Sequence, residues 1–298
     1  MRAPLLLRMF RAALKGWWDD NVPRLGASLA FYTLFAIAPV LVVAIAVAGA
    51  VFGGDAVRGH IVNQIDGLVG RVGARAVQSL LQGASRPREN LIASVVGGVT
   101  FILTSTGAFL ELQTALNTIW RVKPVPGLNL KAFLMDRLRS FGLVISMGFL
   151  LMVSLAVSAA LAAVAGWLQQ WAPGMPVFLA VFDLVLSVAV FTALFAILYR
   201  FLPDVKLGWH DVTTGAFVTA LLFTIGKQLI GLYLGQGSTA SSYGAAGSVM
   251  VLLLWVYYAS QIVLLGAEFT RVYTRREGSK PEPETFAEKD LNAPRKVV

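Results

Sequence analysis

Residues 27 to 52 (ASLAFYTLFAIAPVLVVAIAVAGAVF) run for 26 positions without one charged side chain. A helix rises about 1.5 Å per residue, so about 20 such residues match the roughly 30 Å hydrocarbon core of a bilayer. Five further stretches of the same kind follow, which predicts spans at about 27–52, 91–111, 141–166, 177–200, 212–234 and 248–270. Six membrane helices leave little of a 298-residue chain for anything else. The expected fold is therefore all-α: one polytopic bundle of six transmembrane helices, with no separate soluble domain.

Composition agrees. Hydrophobic residues are 57% of the chain and charged residues 14%, against about 25% charged in soluble domains. Mean hydropathy is +0.71. Cysteine is absent, which excludes disulfides and thiolate metal sites.

A net charge of +9 raises the question of nucleic acid, and the placement of the cations answers it. Five Lys/Arg lie in the N-terminal arm, five between spans two and three, two between spans four and five, and seven after span six. The opposite side carries five, all in the first loop, and Lys227 lies inside a span. Nineteen against five is the bias that orients multi-span proteins, and it places both termini in the cytoplasm. The basic charge is thus read as a topology signal that also contacts anionic lipid headgroups, and no nucleic-acid partner is expected.

The arm 1–26 contains an amphipathic helix over 5–18, with Leu7, Phe10, Leu14 and Trp17 on one face and Arg8, Arg11 and Lys15 on another. That pattern predicts an interfacial helix on the inner leaflet, not a cleaved signal. Pro39 removes a backbone hydrogen bond within span one and predicts a kink there. The loop 53–90 carries Ile61, Ile65, Leu68, Val72, Ala76 and Leu80 at helical spacing, which predicts an amphipathic outer helix or pair of helices. Span two continues as helix to Trp120, with Gly97, Thr100, Thr104, Gly107, Glu111, Thr114 and Thr118 in one small or polar stripe suited to helix packing. Segment 235–247 is uncharged and rich in Gly and Ser, either a flexible outer loop or a re-entrant piece. The tail 273–298 turns to Pro, Glu and Lys and is expected to be disordered.

Ionisable groups inside the slab are the candidate functional residues, because each costs roughly 2.5–3.5 kcal/mol at a helix centre even on insertion scales. Asp183 and Lys227 fall at similar depth in the consecutive spans four and five and form a candidate intramembrane ion pair or pathway. Arg24, Glu111, Glu268 and Arg271 fall near the inner plane, as a candidate clasp of three helices or a coupling site. Glu268 is the stronger functional candidate, since WVYYASQIVLLGAEFTR (255–271) is apolar around it. Enzyme chemistry finds weak support: His60 and His210 are the only histidines, and no metal, nucleophile or phosphate-loop motif is present. No catalytic residue and no cofactor are expected.

Five segments together resemble the YihY/BrkB family of bacterial inner-membrane proteins. They are RLGASLAFYTLFAIAPVL (24–41), LQTALNTIWRV (112–122), YRFLPDVKLGWHDVTTGA (199–216), SSYGAAGS (241–248) and LLWVYYASQIVLLGAEFTR (253–271). The resemblance implies a six-helix bundle in the cytoplasmic membrane. Members have carried the name ribonuclease BN, and others a virulence-factor label linked to serum resistance. Metal-dependent phosphodiester cleavage needs clustered ligands that this sequence does not supply, so a ribonuclease is the least supported reading. The leading expectation is a transporter or lipid-translocating protein of the envelope, with a small solute or lipid as substrate. The alternative is a membrane scaffold that binds partners without flux.

Overall fold

In the computed structural model, the described residues are 3–52, 77–78, 107–125, 175–236, 247–276, 281–284 and 287–290. The expected spans at 91–111 and 141–166, the outer loop 53–90 and the segment 235–247 lie largely or wholly outside these residues.

Helix α1 (Ala3–Asp19) is followed by α2 (Val22–Phe52), which runs unbroken through Pro39. Helix α3 is described over 107–120, ending at Trp120 as the continuous apolar spacing requires. After strand β1 (Val122–Pro124) come α4 (Met175–Phe201), strand β2 (Val205–Lys206), α5 (Trp209–Gln236) and α6 (Gly247–Arg276). Among the described residues, three windows are long and apolar enough to cross a membrane: Val181–Phe201, Trp209–Tyr233 and Val249–Arg276, with mean hydropathies of 2.5, 1.5 and 2.0. On α5, Phe217, Leu221, Ile225, Leu229 and Leu232 recur every three or four residues and are exposed, one apolar stripe along the helix.

The chain forms two compact units. One comprises Met1–Asp20, Leu116–Thr224 and Leu265–Val298; the other comprises Asn21–Ala115 and Ile225–Leu264. In the second unit, Gly26 abuts the Gln261 amide and Gly107 abuts the Tyr32 ring.

In the first unit, helices approach through glycine and hydroxyl pairs. A methyl group on Gly266 would overlap Thr219 and the Tyr199 hydroxyl, and one on Gly215 would overlap Thr270. Tyr199 and Thr219 are fully buried and share a hydrogen bond of 3.1 Å. Thr219 and Thr270 donate to the carbonyls of Gly215 and Gly266, one turn earlier in their own helices. Hydroxyls satisfied within their own helix let backbones pack closely without orphaned donors.

The described residues are mostly helical, as the all-α expectation has it, with four short strands added. The tail is not structureless throughout. Strands β3 (Glu282–Pro283) and β4 (Ala287–Lys289) pair antiparallel with β2 and β1 respectively, with Lys206 opposite Glu282 and Lys123 opposite Glu288. Glu284 N–H donates to Asp204 O and Asp290 N–H to Arg121 O, both at 3.0 Å. A polar, Pro-containing tail cannot build a core, but it satisfies the free backbone edges of two short loops.

Candidate functional site

Four segments of the first unit meet around the end of α6: the end of α1, the end of α3 with β1, the α4–α5 loop, and the tail. Arg271 is the centre. Its Nη1 donates to Asp20 Oδ2 at 2.7 Å and to the Ile119 carbonyl, and lies 3.5 Å from Glu268 Oε2. Ile119 is in the last turn of α3, whose final carbonyls have no partner within the helix, so a cation is favoured there twice, as donor and as charge. Arg121 adds a second cation, with Nη2 3.6 Å from Asp20 Oδ1.

Arg121 also holds a left-handed backbone conformation, with φ at 57°. That is costly for a side chain with a Cβ, on the order of 1–3 kcal/mol, and persists only where the surroundings impose it. Here the ion pair to Asp20 and the bond from Asp290 N–H impose it. Asn21, just after Asp20, has φ at 53°, which asparagine tolerates better.

Glu268 is fully buried. Neither of its carboxylate oxygens meets a well-aligned N–H or hydroxyl donor among the described residues, while the Asp20 carboxyl lies within hydrogen-bonding reach of it and Asp20 and Arg121 act on it as charges besides Arg271. Its neighbour on α1 is Gly16: a Cβ there would stand 2.5 Å from Glu268 Oε2, so only glycine leaves room for the carboxylate. Two acids and two arginines therefore balance in a largely dry cluster, with Asp20 held more closely than Glu268.

One layer out, Asn117 and Asp204 bond reciprocally. Asn117 Nδ2 donates to Asp204 Oδ2 at 2.7 Å, and Asp204 N–H donates to Asn117 Oδ1 at 2.9 Å. This ties the end of α3 to the α4–α5 loop. In that loop Arg200 stacks on the Trp209 ring at 4.8 Å and donates to Leu207 O. Gly208 N–H donates back to Asp211 Oδ2, closing the start of α5.

The structure thus brings together Glu268 and Arg271 from the expected inner-plane set. Arg24 and Glu111 belong to the other unit, where Arg24 is exposed and Glu111 half-buried. Asp183 and Lys227 are both half-buried and fall in different units. Sequence reading passed over Asp20, Arg121, Asn117 and Asp204. A weak signal existed for Asn117, a polar residue between Leu116 and Ile119 in an apolar helix, and none for the other three. Among the described residues, no three His, Cys, Asp or Glu side chains gather as metal ligands.

Comparison with known proteins fits this picture. The family described as Virulence factor BrkB matches residues 13–290. A UPF0761 membrane protein of Ralstonia nicotianae is 31% identical over 269 residues, covering 89% of this chain and 58% of its own. Another, of Pseudoalteromonas translucida, is 25% identical, covering 86% of this chain and 85% of its own. The UPF0761 membrane protein YihY of Escherichia coli is 30% identical over 182 residues, covering 59% of this chain and 58% of its own. The chain spans a little over half the length of the first curated relatives it matches. No solved structure matches it.

Proposed function

The chain belongs to the Virulence factor BrkB family of membrane proteins, and on that premise we propose that it moves a small solute or a lipid-like amphiphile across the bacterial cytoplasmic membrane, with Glu268, Arg271 and Asp20 as the group that changes state. The observation that carries this reading is Glu268: a fully buried carboxylate, without a well-aligned N–H or hydroxyl donor among the described residues, on a helix apolar enough to span. A carboxylate kept only for architecture would be expected to have its lone pairs filled. Ionisable residues within membrane helices characteristically mark ion and substrate routes.

The orientation proposed is that of both termini in the cytoplasm. Asp20, β1, β2 and the tail strands lie together in one unit. They precede span one and follow spans two, four and six of the expected topology, so each pair is separated by an even number of crossings, as common placement on one side of a bilayer requires. Asp183 and Lys227 are proposed as further polar positions of the route.

The test is reconstitution of the purified chain into vesicles, followed by two readouts: dithionite access to fluorescently labelled phosphatidylglycerol, and proton entry reported by an enclosed pH dye. Protein-dependent movement of either probe, lost in Glu268→Gln while thermal unfolding stays intact, is the expected outcome. A folded, correctly inserted protein that moves neither would reject this assignment of substrate classes and turn attention to the scaffold alternative.

A further inference from the structure

Among the described residues, helix α1 packs against protein along one side and, through the half-buried Phe10, part of one adjoining flank. Met9 and Ala13 pack against Phe269 and Tyr273 of α6, with Gly16 against Glu268 on the same side. On the opposite side Leu7, Leu14 and Trp18 are 53%, 43% and 71% exposed. Successive helical residues turn by roughly 100°, so Arg8, Arg11 and Lys15 fall together on one flank between these two sides. All three are exposed. The other flank carries Leu6, Phe10 and Trp17 and no charge.

This division fixes an attitude. With α6 on one side and apolar side chains facing away from it, a helix lying in a membrane surface would set its uncharged flank inward and its cationic flank at headgroup level. The only acid within α1 is Asp19, at its last position, so the cationic flank is not neutralised by its own helix. We propose that α1 is a binding surface for anionic phospholipid, in which Leu7, Leu14 and Trp18 enter the acyl region while Arg8, Arg11 and Lys15 hold the headgroup phosphates. Anionic lipid is favoured over zwitterionic because three cations near a negative surface each add attraction that a net-neutral headgroup returns only in part. This surface stands apart from the transport reading and does not depend on it.

The experiment uses the full chain in phosphatidylcholine nanodiscs doped with brominated phosphatidylglycerol or brominated phosphatidylcholine. The share of tryptophan quenching due to Trp18 is obtained by difference from Trp18→Phe. The expected result is a preference for the brominated anionic lipid on the order of tenfold, abolished by Arg8→Gln/Arg11→Gln/Lys15→Gln and reduced by salt. Quenching by brominated phosphatidylcholine and the unfolding temperature should be unchanged in that variant. Equal quenching by the two lipids, or a preference that survives the triple substitution, overturns the proposal. So does displacement of the lipid preference by inorganic phosphate, which would assign the flank to a soluble ligand, and absence of any Trp18 quenching, which would place α1 away from lipid.

Discussion

Arg271 and Asp20 form a buried ion pair at 2.7 Å across 251 residues of chain, with side-chain exposures of 8% and 6%. It joins the end of the amphipathic helix that opens the chain to the end of α6, and through Ile119 O it also caps α3. Three segments that sequence separates are thus fastened by one guanidinium.

Arg271→Ala leaves two buried carboxylates short of a cation. Removing one partner of a buried pair costs about 3–5 kcal/mol, so the variant should lose its monodisperse folded peak in detergent at a markedly lower temperature. Arg271→Met combined with Asp20→Asn and Glu268→Gln should recover most of the loss. If the triple variant is no more stable than Arg271→Ala, charge compensation is not what the cluster provides.

The tail pairing predicts a specific cross-link. The chain has no cysteine, and Lys123 and Glu288 are opposite partners in the β1–β4 pair. Lys123→Cys with Glu288→Cys should form a disulfide under mild oxidation, and Lys123→Cys with Glu282→Cys should do so far more slowly. Equal yields would mean the tail is not held in that register.

Asn117 and Asp204 exchange two hydrogen bonds. Asn117→Ala removes both of these bonds to Asp204 and should cost about 1–3 kcal/mol. Asn117→Asp should be worse at neutral pH, because it sets two carboxylates face to face, and should recover as the pH falls and one of them is protonated. Thermal unfolding across pH 4 to 8 reads both effects. An Asn117→Asp variant as stable as wild type at neutral pH would contradict the geometry.

Glycine substitutions separate packing from propensity. Gly266→Ala drives a methyl into Thr219 and Tyr199 and should cost about 1–3 kcal/mol. A methyl on Gly231 would meet nothing within 4 Å, so Gly231→Ala should be neutral or gain up to about 1 kcal/mol from helix propensity. Equal effects at both sites would show that the close contact around Gly266 is not formed.

The helices were legible because membrane spans are written in a long-range average. A run of 20 apolar residues means the same thing whatever surrounds it, and the expected limits at 177–200, 212–234 and 248–270 lie within α4, α5 and α6. Glu268 and Arg271 stood out for the same reason: charge next to an apolar run is visible without a neighbour. Asp20 did not, since it follows Asp19 at the end of a polar-ended helix and nothing local distinguishes it from a solvated acid. The tail was misread because composition reports whether a segment can build a core, not whether it can complete another segment's backbone edge.

Sequence alone therefore determined that this is a membrane protein, where its helices run in the described regions, and which family it belongs to. Only the tertiary structure decided which acid meets Arg271, which face of α1 is docked and which stays exposed, and that the tail closes two loops. The physical reason is range. Burial in lipid is a property each segment carries by itself, whereas ion pairing, close helix contact and strand pairing exist only between residues that folding brings together.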